Sequence, residues 1–251
     1  MAMSRPKQPL IRRYQASDEE AVRAICYATG FLGESADRWL DLNRRLFTDL
    51  WLCYYLYHEP ESTFVAEVDG RVVGYVTGCR DSKRRDRYMH GIFPFIFLLG
   101  VLTGRYRAGR RAMGVICRML RDAVTVGMPE LPGSDYPAHM HYNVAPEARG
   151  KVPRCGMRLG FVFMQLLHEQ GVEGMHGVVV MPRNRLKHRY RGIATFHDAR
   201  PCRLFEAVDS APMSMVSIKI DIPELAQRCP GLFAEAREAL AALSQREQKK
   251  Q

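Results

Sequence analysis

The sequence has no apolar run long enough to cross a bilayer. The longest, 92–102, includes Pro94 and Gly100 and falls well short of the ~20 residues a helical span requires. Paired metal or redox thiols are missing too. Seven cysteines stand at 26, 53, 79, 117, 155, 202 and 229, none spaced as Cys-x-x-Cys. That excludes zinc-ribbon and thioredoxin spacings, and the odd number fits reduced, mostly buried thiols. No apolar segment occupies the first eight residues, so no secretory leader is expected and a cytoplasmic protein is. Internal repeats are absent, as are the aromatic motifs of an RNA-binding platform, so nucleic acid is not the expected partner.

Acidic residues are the scarcer charge. There are 27 Asp and Glu against 37 Lys and Arg, which leaves +10 over 251 residues. The excess favours anionic partners, and one segment holds most of it. Residues 80–127 carry eleven Lys and Arg against three acids, a balance of +8. With 47% hydrophobic and 25% charged residues, the chain has the make-up of a folded globular protein with a sizeable core.

The pattern alternates between strand and helix periods. Residues 10–14 read as a first strand. Ser17 and Glu20 have capping-box spacing, with Ala21, Val22, Ile25, Ala28 and Thr29 following at helical intervals. A second helical region covers 35–58. Two β-branched runs, 63–68 and 71–77, flank Asp69-Gly70, the sequence signal of a type I′ hairpin. Residues 80–128 read as a basic helical insert, expected to form a lid with its apolar run in the core. A strand is expected at 138–144, a helix at 156–170 and a strand at 174–181. A short helix at 183–191 and closing strands at 202–208 and 212–220 follow. A helix over 223–243, restarted at Pro230, bears a stripe of Phe233, Ala236, Leu240 and Leu243, expected to pack within the chain, with a homodimer face as its alternative. The expected class is α/β with a mixed sheet. It comprises one domain over 9–222 with the insert at 80–130, then a helical extension over 223–251.

The stretch 138–205 carries the chemistry. It opens Ala138-His-Met-His-Tyr-Asn143, continues through Pro146 to Arg149, Gly150 and Lys151, and enters a helix. A turn followed by a helix N-terminus aims main-chain N–H groups at an anion, and Arg149, Lys151 and Arg154 add full charges. His139, His141 and Asn143 alternate and so share one face of the strand. The two histidines are candidate bases. A His-x-His metal site lacks a third ligand, so no metal is expected.

Strand, turn and helix, together with 174–181 and the closing Arg200-Pro-Cys-Arg-Leu-Phe205, resemble the acyl-CoA-binding core of the GNAT acetyltransferase superfamily. The likeness is to a bacterial-type subgroup with a long helical insert before the fourth strand. The resemblance implies an N-acyltransferase that uses acetyl-CoA, or another acyl-CoA, and an amine acceptor. A pantetheine arm would lie between strands 138–144 and 174–181, paired with the main chain of Asn143, Val144 and Ala145. The diphosphate would rest on Arg149, Gly150, Lys151, Val152, Arg154, Cys155 and Gly156. Tyr190 would protonate the leaving thiolate, with Asn184 on the cofactor side. The sequence departs from the family cradle at Val152, Pro153 and Arg154, which stand where its later glycines belong, and Gly156 marks a shifted turn. Two alternatives follow: a non-catalytic GNAT-like binding module, and a nucleic-acid or membrane-surface binder driven by the insert, with membrane contact through 92–102.

Overall fold

The structure is a computed structural model and describes residues 8–38, 43–107, 109–182, 192–203 and 212–248. One seven-stranded mixed sheet runs in the order β1-β2-β3-β4-β5-β7-β6. Strands β1 (Leu10–Arg13), β2 (Phe64–Val68), β3 (Arg71–Cys79) and β4 (Ala138–Val144) form an antiparallel meander. Helix α6 (Cys155–Glu169) returns the chain to β5 (Gly174–Pro182), which lies parallel to β4. Strand β7 (Met213–Asp221) then pairs antiparallel with both β5 and β6 (Thr195–Pro201).

Local chemistry accounts for most of these elements. At the β2–β3 turn, Asp69 and Gly70 take φ of 52° and 74°, the two positive values of a type I′ turn. The expected capping box is displaced. Ser17 lies inside a short 3-10 turn, Ala16–Asp18, and Asp18 is the residue that caps, accepting the Gln15 N–H at 2.9 Å. Two ion-paired contacts from Arg12, at 2.6 and 2.8 Å, hold that carboxylate in place. Helix α1 (Glu19–Thr29) follows, and α2 (Arg44–His58) begins at an Asn43 side chain that accepts the Leu46 N–H.

The two faces of the sheet carry separate cores. On one, α6 buries Leu159, Phe163 and Leu167 against β2, β3 and β4. Helices α7 (Ile222–Arg228) and α8 (Pro230–Gln248) close over α6. Phe233 meets Phe161 edge-on at 5.3 Å, and Ala236, Leu240 and Leu243 are buried behind it. The C-terminal stripe therefore packs within the chain. On the other face, α1 and α2 bury Val22, Ile25, Leu52 and Leu56 against Val65 and Tyr75. Asp49 ties these helices together. It lies 2.7 Å from Arg23 and accepts a 2.6 Å hydrogen bond from Tyr106.

Two expectations need correction. The closing strand placed at 202–208 lies earlier, as β6, with Cys202 and Arg203 beyond its end. Residues 204–208 lie outside the described residues, as does the whole of the expected helix at 183–191. The insert is three helices, α3 (Ser82–Gly91), α4 (Phe93–Leu102) and α5 (Arg110–Thr125), but its apolar run is not core. Of α4, only Phe93 and Gly100 are buried. The helix meets the body through the Phe93 side chain and the Gly100 backbone, and most of the run faces outward.

Candidate active site

The β4–β5 pair is unlike its neighbours. Among the described residues it is the only parallel pairing in the sheet, and it covers two positions, Ala138 with Met175 and His139 with His176. Beyond them the strands diverge, while β4 stays zipped to β3 as far as Gly74–Val144. Between them opens a cleft of about 300 Å³ walled by Met140, Tyr142, Val178 and Ile218, with Gly156 and Gly160 of α6 on its floor. The glycine spacing makes that floor shallow. A Cβ at Gly156 would stand 3.2 Å from the Tyr142 ring and 3.4 Å from Val144.

Strand alternation decides which main-chain groups reach the gap. Ala145 donates its N–H to Val73 at 2.9 Å, so odd-numbered residues of β4 bond to β3. The amides of Tyr142 and Val144 then point the other way, towards the side from which β5 has withdrawn.

After β4 the chain turns through Pro146–Ala148 and Gly150, whose φ is 73°. Arg149 folds back onto the Val144 carbonyl at 3.2 Å and the Gly33 carbonyl at 2.6 Å, so it braces the turn against the segment after α1. The amides of Lys151 and Val152 both bond to the Ala148 carbonyl. Arg154 caps α6 in the left-handed region, φ 55°, without a side-chain cap bond. Its guanidinium lies 4.0 Å from Glu235 on α8. The first-turn amides of Cys155, Gly156 and Met157 are the ones with no intrahelical acceptor, and they open beside the cleft. Burial raises the Cys155 thiol to about 11, so it stays protonated and serves as packing.

The other face of β4 carries the histidines. Tyr55 of α2 bonds His139 Nδ1 at 2.9 Å, and Tyr75 of β3 bonds His141 Nδ1 at 3.2 Å. Asn143 donates its amide to the Tyr75 oxygen at 3.0 Å. Trp51 stacks on the His141 ring at 5.7 Å, and the rings of His139 and His176 lie 5.8 Å apart. Burial, aided by the Arg85 charge, lowers His141 to about 4 and pushes His139 well below its usual value. Both rings are neutral at pH 7. Among the described residues no group of three or more His, Cys, Asp or Glu is placed to hold a metal ion.

No protein-family model matches the chain. It is 30% identical to an acetyltransferase of Yersinia pestis over 121 residues, 48% of this chain and 72% of the relative. An acetyltransferase of Photorhabdus laumondii is 26% identical over 121 residues, covering 48% of this chain and 71% of its own length. The chain belongs to the GNAT acetyltransferase superfamily. Its fold agrees with the crystal structure of SsHAT, at a TM-score of 0.56 and 24% identity over 86% of this chain and 99% of that one.

In this GNAT chain, of the residues from Asn143 to Gly156 named by sequence, Gly156 lines the cleft, whereas the Asn143 side chain faces Tyr75, Arg149 is held on the Gly33 carbonyl and Arg154 lies toward Glu235. Tyr190 and Asn184 lie outside the described residues. Sequence reasoning missed the cleft-lining side chains Met140, Tyr142, Val178 and Ile218 and the floor residue Gly160. The one available signal was Gly156-x-x-x-Gly160, two small residues a helical turn apart on the face toward β4.

Proposed function

We propose that this chain transfers an acyl group, acetyl in the simplest case, from acyl-CoA to an amine. The observation that carries the reading is the divergence of β4 from β5 after two paired positions, in a chain of this family. The gap admits an extended thioester arm. Its wall is apolar, the Val144 N–H faces into it, and an uncapped helix start lies at its mouth. The diphosphate would rest on the amides of Cys155 and Gly156, with Lys151 and Arg154 supplying charge and Gly150 the turn.

The amine nitrogen attacks the thioester carbonyl carbon. The Val144 N–H stabilises the oxyanion that forms, and collapse breaks the C–S bond. Tyr190 gives its proton to the departing thiolate. The surplus proton on nitrogen leaves through water past His139 and His141.

Calorimetric titration with acetyl-CoA tests donor binding, and thiol release with a panel of amines tests transfer. Heat and a raised melting midpoint are expected. Neither appearing would turn the chain into a non-catalytic binding module. Tyr190→Phe is expected to lower kcat by about 10²–10⁴ with KM near native, the usual contribution of a general acid. Unchanged kcat would remove Tyr190 from the mechanism.

A further inference from the structure

Helix α4 is built outward. Phe95, Leu98, Leu99 and Leu102 are 74%, 55%, 62% and 74% exposed, and Ile96, Phe97 and Val101 are exposed beside them. Its attachment explains how. The buried Tyr106 ring packs on the backbone at Gly100, where a Cβ would run into the ring. The Tyr106 hydroxyl is fixed to the buried Asp49 of α2 at 2.6 Å. The chain after α4 is held as well, with Asn43 donating its N–H to the Arg107 carbonyl at 3.0 Å. The helix is thus held at the buried Phe93 side chain and at the Gly100 backbone, with most of its other large side chains left in water. Isolated apolar side chains on a surface are ordinary, but a contiguous helix of them marks an interaction site.

The surroundings identify what covers it. Lys83, Arg84 and Arg87 stand exposed on α3 just before α4, and Arg105, Arg107 and Arg110 follow it. The 80–127 segment is +8 in total. We propose that α4 is an anchor for an anionic lipid surface, lying in the headgroup–acyl boundary with these cations at phosphate level. The most exposed side chains, Phe95, Leu98, Leu99 and Leu102, form one outward face opposite the buried Phe93 and Gly100. A one-sided apolar face flanked by cations suits an anionic membrane interface, where the cations meet lipid phosphates. A second copy would bring two segments of +8 face to face and be repelled. Ten residues are too short to cross, and no described helix is long and apolar enough to do so, so the helix enters one leaflet only.

Vesicle co-sedimentation of the full chain tests this, with phosphatidylcholine alone against an equal mixture with phosphatidylglycerol. The chain is expected to bind the mixed vesicles about tenfold better, and to lose most of that preference at high salt. Phe95→Glu with Leu99→Glu is expected to cut binding by about tenfold or more at an unchanged melting midpoint. The single Phe95→Ser gives the same direction should the double variant not fold. Equal sedimentation of native and variant chains, or none on any vesicle, overturns the proposal. So does a lipid-free dimer that the double variant dissolves, which would assign the face to a second copy.

Discussion

At the residue scale, His141 has an altered proton affinity with a measurable consequence. Its folded proton affinity, near 4, lies below the ~6.5 of an unfolded histidine. Between those values the unfolded chain binds more protons, so stability is complete above about pH 6.5 and falls as the pH drops towards 4. At about 1.4 kcal/mol per unit, the loss is on the order of 3 kcal/mol. Asp18, Glu19 and Asp49 are held below their ordinary values because hydrogen-bond donors and arginines outweigh the opposing effect of burial. Their contributions therefore fade only below about pH 4, which leaves the higher window to the histidines. Urea midpoints at successive pH values should show native stability falling between pH 6.5 and 4.5 and His141→Gln falling less. Equal slopes would count against the assignment. Strand alternation alone places His139, His141 and Asn143 on one face. Their partners were not legible, because Tyr75 lies 66 and Tyr55 84 residues away in sequence, and no local pattern encodes such a meeting.

At the scale of elements, α6 has two duties, core on one side and cleft floor on the other. Gly160 serves the second. Glycine within a helix costs about 1 kcal/mol relative to alanine, and a Cβ here would meet only the Met140 methyl at an ordinary 3.7 Å. Gly160→Ala should therefore raise the melting midpoint slightly while narrowing the cleft. Donor KM should rise severalfold with kcat near native, as steady-state kinetics would show; an unaltered KM would mean that the donor does not lie against this helix. The hairpin was legible because Asp-Gly has few other uses between β-branched runs. Helix α4 was misread for a physical reason: an apolar run looks the same in sequence whether it packs inward or is anchored at only two positions, here Phe93 and Gly100. The displaced cap at Asp18 depended on Arg12, a strand residue whose reach the local pattern does not reveal.

Across the whole molecule, the sheet consists of two zipped halves, β1 to β4 and β5 to β6, joined by two rungs and one helix. Residues alone suggested the parallel step from β4 to β5, and the family likeness supplied the splay. The order β5-β7-β6 was not legible, since it depends on long-range pairing. Hydrogen exchange should register the seam. Amides of Tyr142 and Val144 should exchange far faster than those of β3, which is paired on both sides, and should slow when acetyl-CoA is added. Protection of both in the free protein would mean that the seam is shut.

A sheet that parts at its middle acquires two inner edges in addition to its outer ones. Most folds blunt or cover such edges, because a row of unsatisfied donors and acceptors will recruit any extended chain. Here the exposed row is short and sunk between apolar walls, so a slender amide-bearing arm can add to it as a strand would, while a bulky polypeptide is kept out.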